Sequence, residues 1–405
     1  MVAETKPVSN ADTIEKLVSL CKQRGFVYPS SEIYGGLNAV YDFGPLGVRM
    51  RRNIRERWWR HMVDLRDDVE GIETAILMNP QVWEASGHVQ GFTDPLVDCT
   101  GTCRKRWRED HLAAEREARG KPADAVGCPE CGGPLTAARQ FNLMFKTFVG
   151  PVEDAAALVW LRPETAQGMF VNFPNVVNST RRRLPFGIAQ YGKGFRNEIS
   201  PGNFIFRLRE FELMEMEFFC KPGTDLEWHE YWCNERLNWH IDVMGVRHAN
   251  LRLRAHEKTE LSHYSTATSD IEYRFPFGWG ELEGCADRTD YDLKTHMEHS
   301  GRDLTFFDTE SNERYIPYVI EPAVGLERIF ITLLCDSYEE EEVRGERRVV
   351  LRLHADVAPV QVAVLPLSKK AELTEQARRI EHHLRGLFST EYDETQSIGR
   401  RYRRQ

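Results

Sequence analysis

The chain has no Gly-x-x-x-x-Gly-Lys-Ser/Thr run and no Gly-x-Gly-x-x-Gly after a first strand. Both patterns make loops that cradle phosphate with backbone amides, so any phosphate bound here must be held by side chains. No apolar run approaches a membrane span, and the N-terminal "MVAETKPVSNADTIEK" lacks the apolar centre of a secretory leader. A cytoplasmic protein without membrane contact is expected. Nine cysteines in 405 residues are too few for a disulfide scaffold. There is no excess of positive charge either. The net charge of -9 argues against non-specific nucleic-acid binding, though "RMRRNIRERWWR", "RRR" (181–183) and "RRYRR" are local basic patches. No internal repeat is visible.

Composition is otherwise that of a soluble globular chain, 41% hydrophobic and 28% charged, long enough for two or three domains. Cys21, Cys220, Cys233, Cys285 and Cys335 are scattered, mostly in apolar surroundings, and read as small core residues. The other four pair as "CTGTC" (Cys99, Cys103) and "CPEC" (Cys128, Cys131). Two close pairs across a linker suit a structural zinc ion, whose thiolates must converge, with four free thiols as the alternative.

"DTIEKLVSLCKQRGF" reads as a helix capped by Asp12 and ended by Gly25. "YDFGPLGV" opens an arginine-rich helix to about Val63, and "GIETAILMNP" reads as a strand stopped by Pro80. Strand-like pieces follow at "ALVWLRPE", "FGIAQYGKGFRNE" and "FRLREFELMEMEFF", with a tryptophan-rich helix at about 225–244. "YVIEPAVGLERIFITLLCDSY" runs from strand into apolar helix, and the acidic "EEEEVRGERR" is expected to end that domain. Beyond it only one strand ("VAPVQVAVLPL"), one helix and a basic tail are expected. Strands outnumber crossover helices in the middle of the chain, which predicts an α+β fold with a mostly antiparallel sheet. The expected division is 1–97 and 140–350 for one split domain, with a helical insertion at about 225–260. Residues 98–139 form a cysteine-bearing insertion, and 356–405 a further unit.

The stretch "RNEISPGNFIFRLREFELMEMEFF" carries the sharpest chemistry. Strand alternation puts Arg207, Arg209, Phe211, Leu213, Glu215 and Glu217 on one face. The other takes Leu208, Met214, Met216 and Phe218, with Glu210 and Glu212 between them. Arg196 and the next strand's arginines could fold over a triphosphate, since a guanidinium pairs phosphate oxygens two at a time. Phe211 could stack on a base and Glu215 take an ammonium group. A half-exposed strand with cross-strand ion pairs is the alternative.

These residues resemble a known family. "FRNEISP…FRLREFE" resembles the second motif of the class II aminoacyl-tRNA synthetases, "EPAVGLERI" the third, and the region ending at Pro80 the first. Within the class, "YPSSEIYGGLNAVYDFGPLG", "QFNLMFKT", "LRPETAQG", "GWGELEGCADRTDYDL" and "LLCDSYEEE" resemble the homodimeric glycyl-tRNA synthetases. The similarity runs in order over nearly the whole chain. It implies a class II antiparallel sheet flanked by helices, followed by the start of a C-terminal α/β anticodon-binding domain. It also implies activation of glycine with ATP and Mg2+, transfer to tRNA-Gly, and a homodimer.

By the same resemblance, Arg196, Arg328 and Glu198 would be catalytic. ATP would be held by Arg196, Asn197 and Glu198, and by Phe206, Arg207, Leu208, Arg209, Glu210 and Phe211. Glu281, Leu282, Gly325, Leu326, Glu327 and Arg328 would complete that site, with Glu281 able to ligate magnesium. Glycine would meet Arg108, Glu164 and Arg288, the run Phe211, Glu212, Leu213, Met214 and Glu215, and the run Glu321, Pro322, Ala323, Val324 and Gly325. The glycine carboxylate is already a nucleophile, so the barrier is anion–anion repulsion, which arginines and magnesium lower. Two departures stand out. Ala323 replaces the serine usual in the family, and the chain ends partway through what resembles the anticodon domain. A non-catalytic binding paralogue, which would lack the motif arginines, and an adenylate-forming enzyme that charges no tRNA are the competing readings.

Overall fold

The computed structural model describes residues 10–117, 119–199, 202–262, 264–343 and 345–405. Helix α1 (Asn10–Arg24) ends where Gly25 takes φ 76°, a left-handed conformation natural to glycine. It is already helical at Asn10, so Asp12 lies inside it rather than capping it. Helix α2 (Pro45–Trp59) starts with proline, whose missing N–H is not needed in a first turn. Its buried Met50, Ile54 and Trp58 form one stripe. Gly47 has no alternative, because a Cβ there would lie 1.9 Å from the Phe26 carbonyl oxygen.

Strand β1 (Val69–Gly71) ends where the expected strand at 71–80 begins, and 72–79 is irregular apart from a single bridge between Leu77 and Leu161. Pro80 does not stop a strand but opens helix α3 (Pro80–Ala85), where the Asn79 side chain caps Gln81 N at 3.0 Å. Strands β2 (Thr93–Asp98), β3 (Arg106–Arg108) and β4 (Arg139–Asn142) then form a small antiparallel sheet in the order β3-β2-β4. It brackets the cysteine-bearing segment.

Next come α4 (Ala166–Thr180), β5 (Phe186–Phe195), β6 (Glu210–Cys220), α5 (Asp225–Asp242) and β7 (Leu251–Ala255). They are followed by β8 (Ala267–Phe275), β9 (Gly278–Thr289), α6 (Tyr291–Ser300), β10 (Tyr318–Gly325) and α7 (Leu326–Ser337). Among the described residues, seven strands pair in the order β7-β8-β9-β10-β6-β5-β1, and only β1 and β5 run parallel. The fold is α+β with an antiparallel-rich central sheet flanked by helices.

Strand β6 lies inside this sheet and is buried from Glu212 onward. Its even residues Met214, Met216 and Phe218 join Leu17, Ile54, Trp232 and Ile329, so α1, α2, α5 and α7 cover that face. Burial of each such side chain contributes about 1.5–3 kcal/mol. Odd-numbered Phe219 meets Phe173 of α4 with ring centroids 4.4 Å apart. Helices α4 and α6 thus cover the second face at the far end of β6, and the cleft occupies the end bearing Phe211, Leu213 and Glu215. Arg207 and Arg209 precede the strand instead of lying on it.

The acidic run forms a hairpin, β11 (Tyr338–Val343) with β12 (Glu346–Leu351), in which Glu341 pairs with Arg348. The C-terminal part holds β13 (Val362–Val364), α8 (Ala371–Leu384), β14 (Thr390–Tyr392) and α9 (Ile398–Arg404). This corrects the expectation of one strand, one helix and a tail. Strand β13 has a parallel partner in β14, and the basic end is helical. Arg401 is buried there, donating to the Thr395 and Gln396 carbonyls at 3.2 and 2.8 Å. Among the described residues no helix is long and apolar enough to cross a membrane.

Candidate active site

The β5–β6 connection builds one wall of a cleft of about 310 Å³. Just past β5, Arg196 donates its backbone N–H to the Arg209 carbonyl at 2.9 Å. Its Nε donates to the Pro163 carbonyl at 3.1 Å, and its guanidinium lies 5.4 and 5.3 Å from the Phe92 and Phe211 ring centres. Arg328, in the first turn of α7, lies across the cleft. Its Nη1 is 2.7 Å from Glu281 Oε1 and 3.1 Å from the Glu281 carbonyl, and its guanidinium is 4.8 Å from the Phe206 ring centre. The Arg328 charge holds the Glu281 carboxyl below its usual range. Arg207 lines the same cleft.

Arg288 and several carboxylates make up the rest of the lining. Arg288 is 2% exposed at the side chain and is held from two sides. Its Nε and Nη2 donate to Asp292 at 2.8 and 2.9 Å, and Nη1 to Glu321 at 2.9 Å. The Tyr264 ring centre is 4.1 Å from its guanidinium carbon. Glu215 accepts from Thr165 N at 2.6 Å and from the Thr165 hydroxyl. Glu164 lies 3.2 Å from His88 Nε2 and accepts from Gln167 at 3.0 Å; Gln167 also donates to Asp292 at 2.9 Å. One network therefore runs from His88 through Glu164, Gln167, Asp292 and Arg288 to Glu321.

Burial pushes the Glu321 carboxyl up to about 7 against the pull of Arg288. Burial and the Glu164 charge raise Glu215. Glu164 goes the other way: burial opposes its ionisation, but His88 and Arg288 outweigh it. Glu217, two residues beyond Glu215, is fully buried with both carboxyl oxygens lacking a hydrogen bond, and burial holds it well above the usual range.

The cleft collects Arg108, Glu164, Arg196, Glu198, Phe206, Arg207, Leu208, Phe211, Leu213 and Glu215. Glu281, Arg288, Glu321, Ala323, Gly325, Glu327 and Arg328 complete the expected set. Arg108 is anchored by Asp94 at 2.9 Å and Asp110 at 2.7 Å. Nine expected residues are not brought in. Met214, Leu282, Val324 and Leu326 belong to the apolar core behind the sheet. Glu212 also points backward, to Arg51 at 3.0 Å and Arg55 at 2.5 Å. Arg209 donates to the Asn38 and Glu198 carbonyls at 2.9 and 3.1 Å, and Glu210 pairs with Lys193 at 2.8 Å. Pro322 sits opposite Cys285 in the sheet, and Asn197 donates its backbone N–H to Leu143 at 2.7 Å. The strict two-residue alternation explains most of this, because contiguous runs were carried over where only alternate side chains can face a cleft.

Sequence reasoning missed Leu143, Ile205, Tyr264 and Gly284 in the lining, and Thr165, Gln167 and Asp292 behind it. Asp292 lies in the first turn of α6, four residues after Arg288 of β9, so no helical spacing links the two. Tyr264 sits in an irregular segment without periodicity. A larger hollow of about 640 Å³ lies near Val171 and His299, but Arg302 and Asp303 are the only fully charged residues lining it.

The four clustered cysteines converge. Cys99 and Cys131 sulfurs are 3.5 Å apart, as are those of Cys103 and Cys128, and all four lie within 4.8 Å of one another. Tetrahedral zinc–thiolate geometry needs sulfur–sulfur edges of about 3.8 Å, so the donors fit. Gly101 and Gly133 keep the two knuckles close, since a Cβ on Gly101 would come 2.9 Å from the Gly133 Cα.

Residues 152–338 match the family model of the tRNA synthetase class II core domain (G, H, P, S and T). The chain is 56% identical to a glycine–tRNA ligase of Acetivibrio thermocellus, over 97% of this chain and 88% of that protein. It is 54% identical to one of Thermobifida fusca, over 98% and 89%. In fold it is similar to a prolyl-tRNA synthetase of Giardia lamblia in complex with prolyl-adenylate, with TM-score 0.66 and 13% identity over 97% of this chain and 66% of that one. The Cryptosporidium parvum prolyl-tRNA synthetase complexed with L-proline and AMP gives TM-score 0.62 and 13% identity, over 98% and 69%. With more than half of its residues shared along almost its entire length, the chain belongs to the glycine–tRNA ligase family of class II aminoacyl-tRNA synthetases.

Proposed function

We propose that this chain condenses glycine with ATP to glycyl-adenylate and pyrophosphate, then transfers glycyl to the 3′-terminal adenosine of tRNA-Gly. The observation that carries this reading is the mixed charge of the cleft. Arg196, Arg207 and Arg328 line it together with Glu164, Glu215 and Glu321. A glycyl-adenylate carries the complementary charges, anionic phosphate joined to a cationic ammonium.

In the first step the glycine carboxylate oxygen bonds to the α-phosphorus and the bond to pyrophosphate breaks. Arg196 and Arg328 would flank the phosphates and offset the charge that builds on them. Phe206 and Phe211, beside those arginines, would hold the adenine between ring faces. Glu215 and Glu321 would receive the ammonium group, with Arg288 fixing Glu321 in place. Glu281 is half-exposed and offers a carboxylate oxygen suited to Mg2+, which would neutralise pyrophosphate charge. A pocket lined by the large side chains of Glu164, Glu215 and Glu321 would exclude larger amino acids by bulk.

Cys99, Cys103, Cys128 and Cys131 would hold a structural zinc ion, since four thiolates leave no open position. Residues 1–97 and 140–350 would make the catalytic unit and 356–405 would contact the anticodon arm. The working form would be a cytoplasmic homodimer. The deciding experiment is glycine-dependent ATP–pyrophosphate exchange followed by charging of tRNA-Gly, with alanine and serine as controls. Exchange independent of glycine, or no exchange, would reject the reading.

A further inference from the structure

Helix α5 meets the back of the sheet with a polar stripe. His229, Cys233, Arg236 and His240 recur at four-, three- and four-residue spacing, on one helical face. Glu283 and Cys285 alternate onto the facing side of β9. Half of this interface is a closed ion-pair cluster: Glu283 takes Arg236 at 2.6 Å and His240 at 2.7 Å. The other half, His229, Cys233 and Cys285, has no such charge pairing, and the cleft chemistry uses none of the three.

These side chains have the donors and the spacing of a metal site. His229 Nε2 is 3.6 Å from Cys233 Sγ, and the nitrogen and both sulfurs lie within 4.8 Å of one another. Zinc–nitrogen and zinc–sulfur bonds at a tetrahedral angle require a nitrogen–sulfur edge of about 3.6 Å. Cys233 and Cys285 are buried. Ser269 pairs with Cys285 across β8 and β9 and brings a buried hydroxyl to Cys233. Two thiolates, one imidazole and one hydroxyl would make a neutral complex with a divalent ion, which removes the net charge that makes burial costly. Thiolates select a zinc-class cation over Mg2+ or Ca2+.

We propose that His229, Cys233 and Cys285, with the Ser269 hydroxyl as fourth donor, form a second, structural zinc site that pins α5 to the back of β9. The front of the same strand carries Gly284 and Arg288, so the ion would brace the floor of the cleft from behind. To ligate, His229 Nε2 gives up its contact with the Cys285 carbonyl, now 3.1 Å away, and the ring proton moves to Nδ1. The proposal does not depend on the activity assigned above.

The test counts zinc per chain in full-length protein purified in zinc-supplemented buffer without chelator. Wild type is expected to hold two ions, and a Cys128→Ser/Cys131→Ser variant one. That remaining ion should be lost when Cys233→Ser is added, and weakened against a competing chelator by His229→Gln. Cobalt in the Cys128→Ser/Cys131→Ser variant should give thiolate-to-metal charge-transfer bands, a readout that needs no further mutation. Retention of the second zinc in Cys233→Ser, or absence of both zinc and cobalt bands from the knuckle variant, overturns the proposal. So does peptide mapping of denatured, alkylated wild type showing Cys233 and Cys285 joined as a disulfide. Should the knuckle variant not fold, the wild-type count decides between one ion and two.

Discussion

Asp292 takes two N–H groups of Arg288, at 2.8 and 2.9 Å, and leaves a third for Glu321 at 2.9 Å. Both partners are almost fully buried, so the arginine is fixed in position and orientation before any substrate arrives. Asp292→Asn keeps the shape but removes the charge, leaving a buried cation short of its partner. A loss of about 3 kcal/mol in folding stability is expected, together with a raised KM for glycine. Chemical denaturation and exchange kinetics measure both; unchanged values in each would show that Glu321 alone positions Arg288.

Arg196 and Arg328 line the same cleft, their guanidinium carbons 5.3 and 4.8 Å from the Phe211 and Phe206 ring centres. Arg196→Ala or Arg328→Ala should lower ATP–pyrophosphate exchange by about 100- to 1000-fold with the fold intact. Circular dichroism and thermal melting establish folding. Near-wild-type exchange in either folded variant would falsify its assignment.

The buried acids predict a pH dependence. Glu321 sits at about 7 in the fold against an ordinary 4.5, with burial as the main cause. The folded chain therefore keeps a proton that the unfolded chain has released, and across that window rising pH removes this group's contribution to stability. A neutral Glu321 cannot pair with an ammonium. Hence kcat/KM for glycine should fall as pH drops below about 7 in the free enzyme. The residual activity of Glu321→Gln should lack that limb, and a pH–rate profile retaining it would assign the titration elsewhere.

Ala323 lines the cleft two residues from Glu321. Ala323→Ser adds a hydroxyl to the lining at this position. One added hydrogen bond contributes about 0.5–1.5 kcal/mol, so KM for glycine should fall about 2- to 10-fold. A raised KM would mean that this pocket has adapted to the methyl group.

Removing Cys128 and Cys131 sulfurs should release one zinc equivalent and lower the melting temperature. Elemental analysis checks the first and calorimetry the second. Zinc content unchanged in Cys128→Ser/Cys131→Ser would remove the knuckle from the metal inventory.

Periodicity made the main helices and the strands of the large sheet legible, because β6 and α7 each repeat apolar residues at their own period. The cleft residues became legible through alternation and through long family-like strings. What stayed hidden was short or non-local. Strand β14 is three residues long, too brief for a period, and its partner β13 lies a helix away. The chain through Gln167 that ties Glu164 to Asp292 joins residues 128 positions apart. No local pattern announces such a bridge. The backward turn of Glu212 was available from alternation alone, but the family-like run obscured it.

Strand β6 carries core and cleft on alternate residues. Adding or deleting one residue early in it would turn Met214 toward the cleft and Glu215 into the apolar layer behind, exchanging the two sets at a stroke. Side chains in this strand can change one at a time, but its length cannot. Its divergence can therefore be recorded only as substitutions, never as gaps.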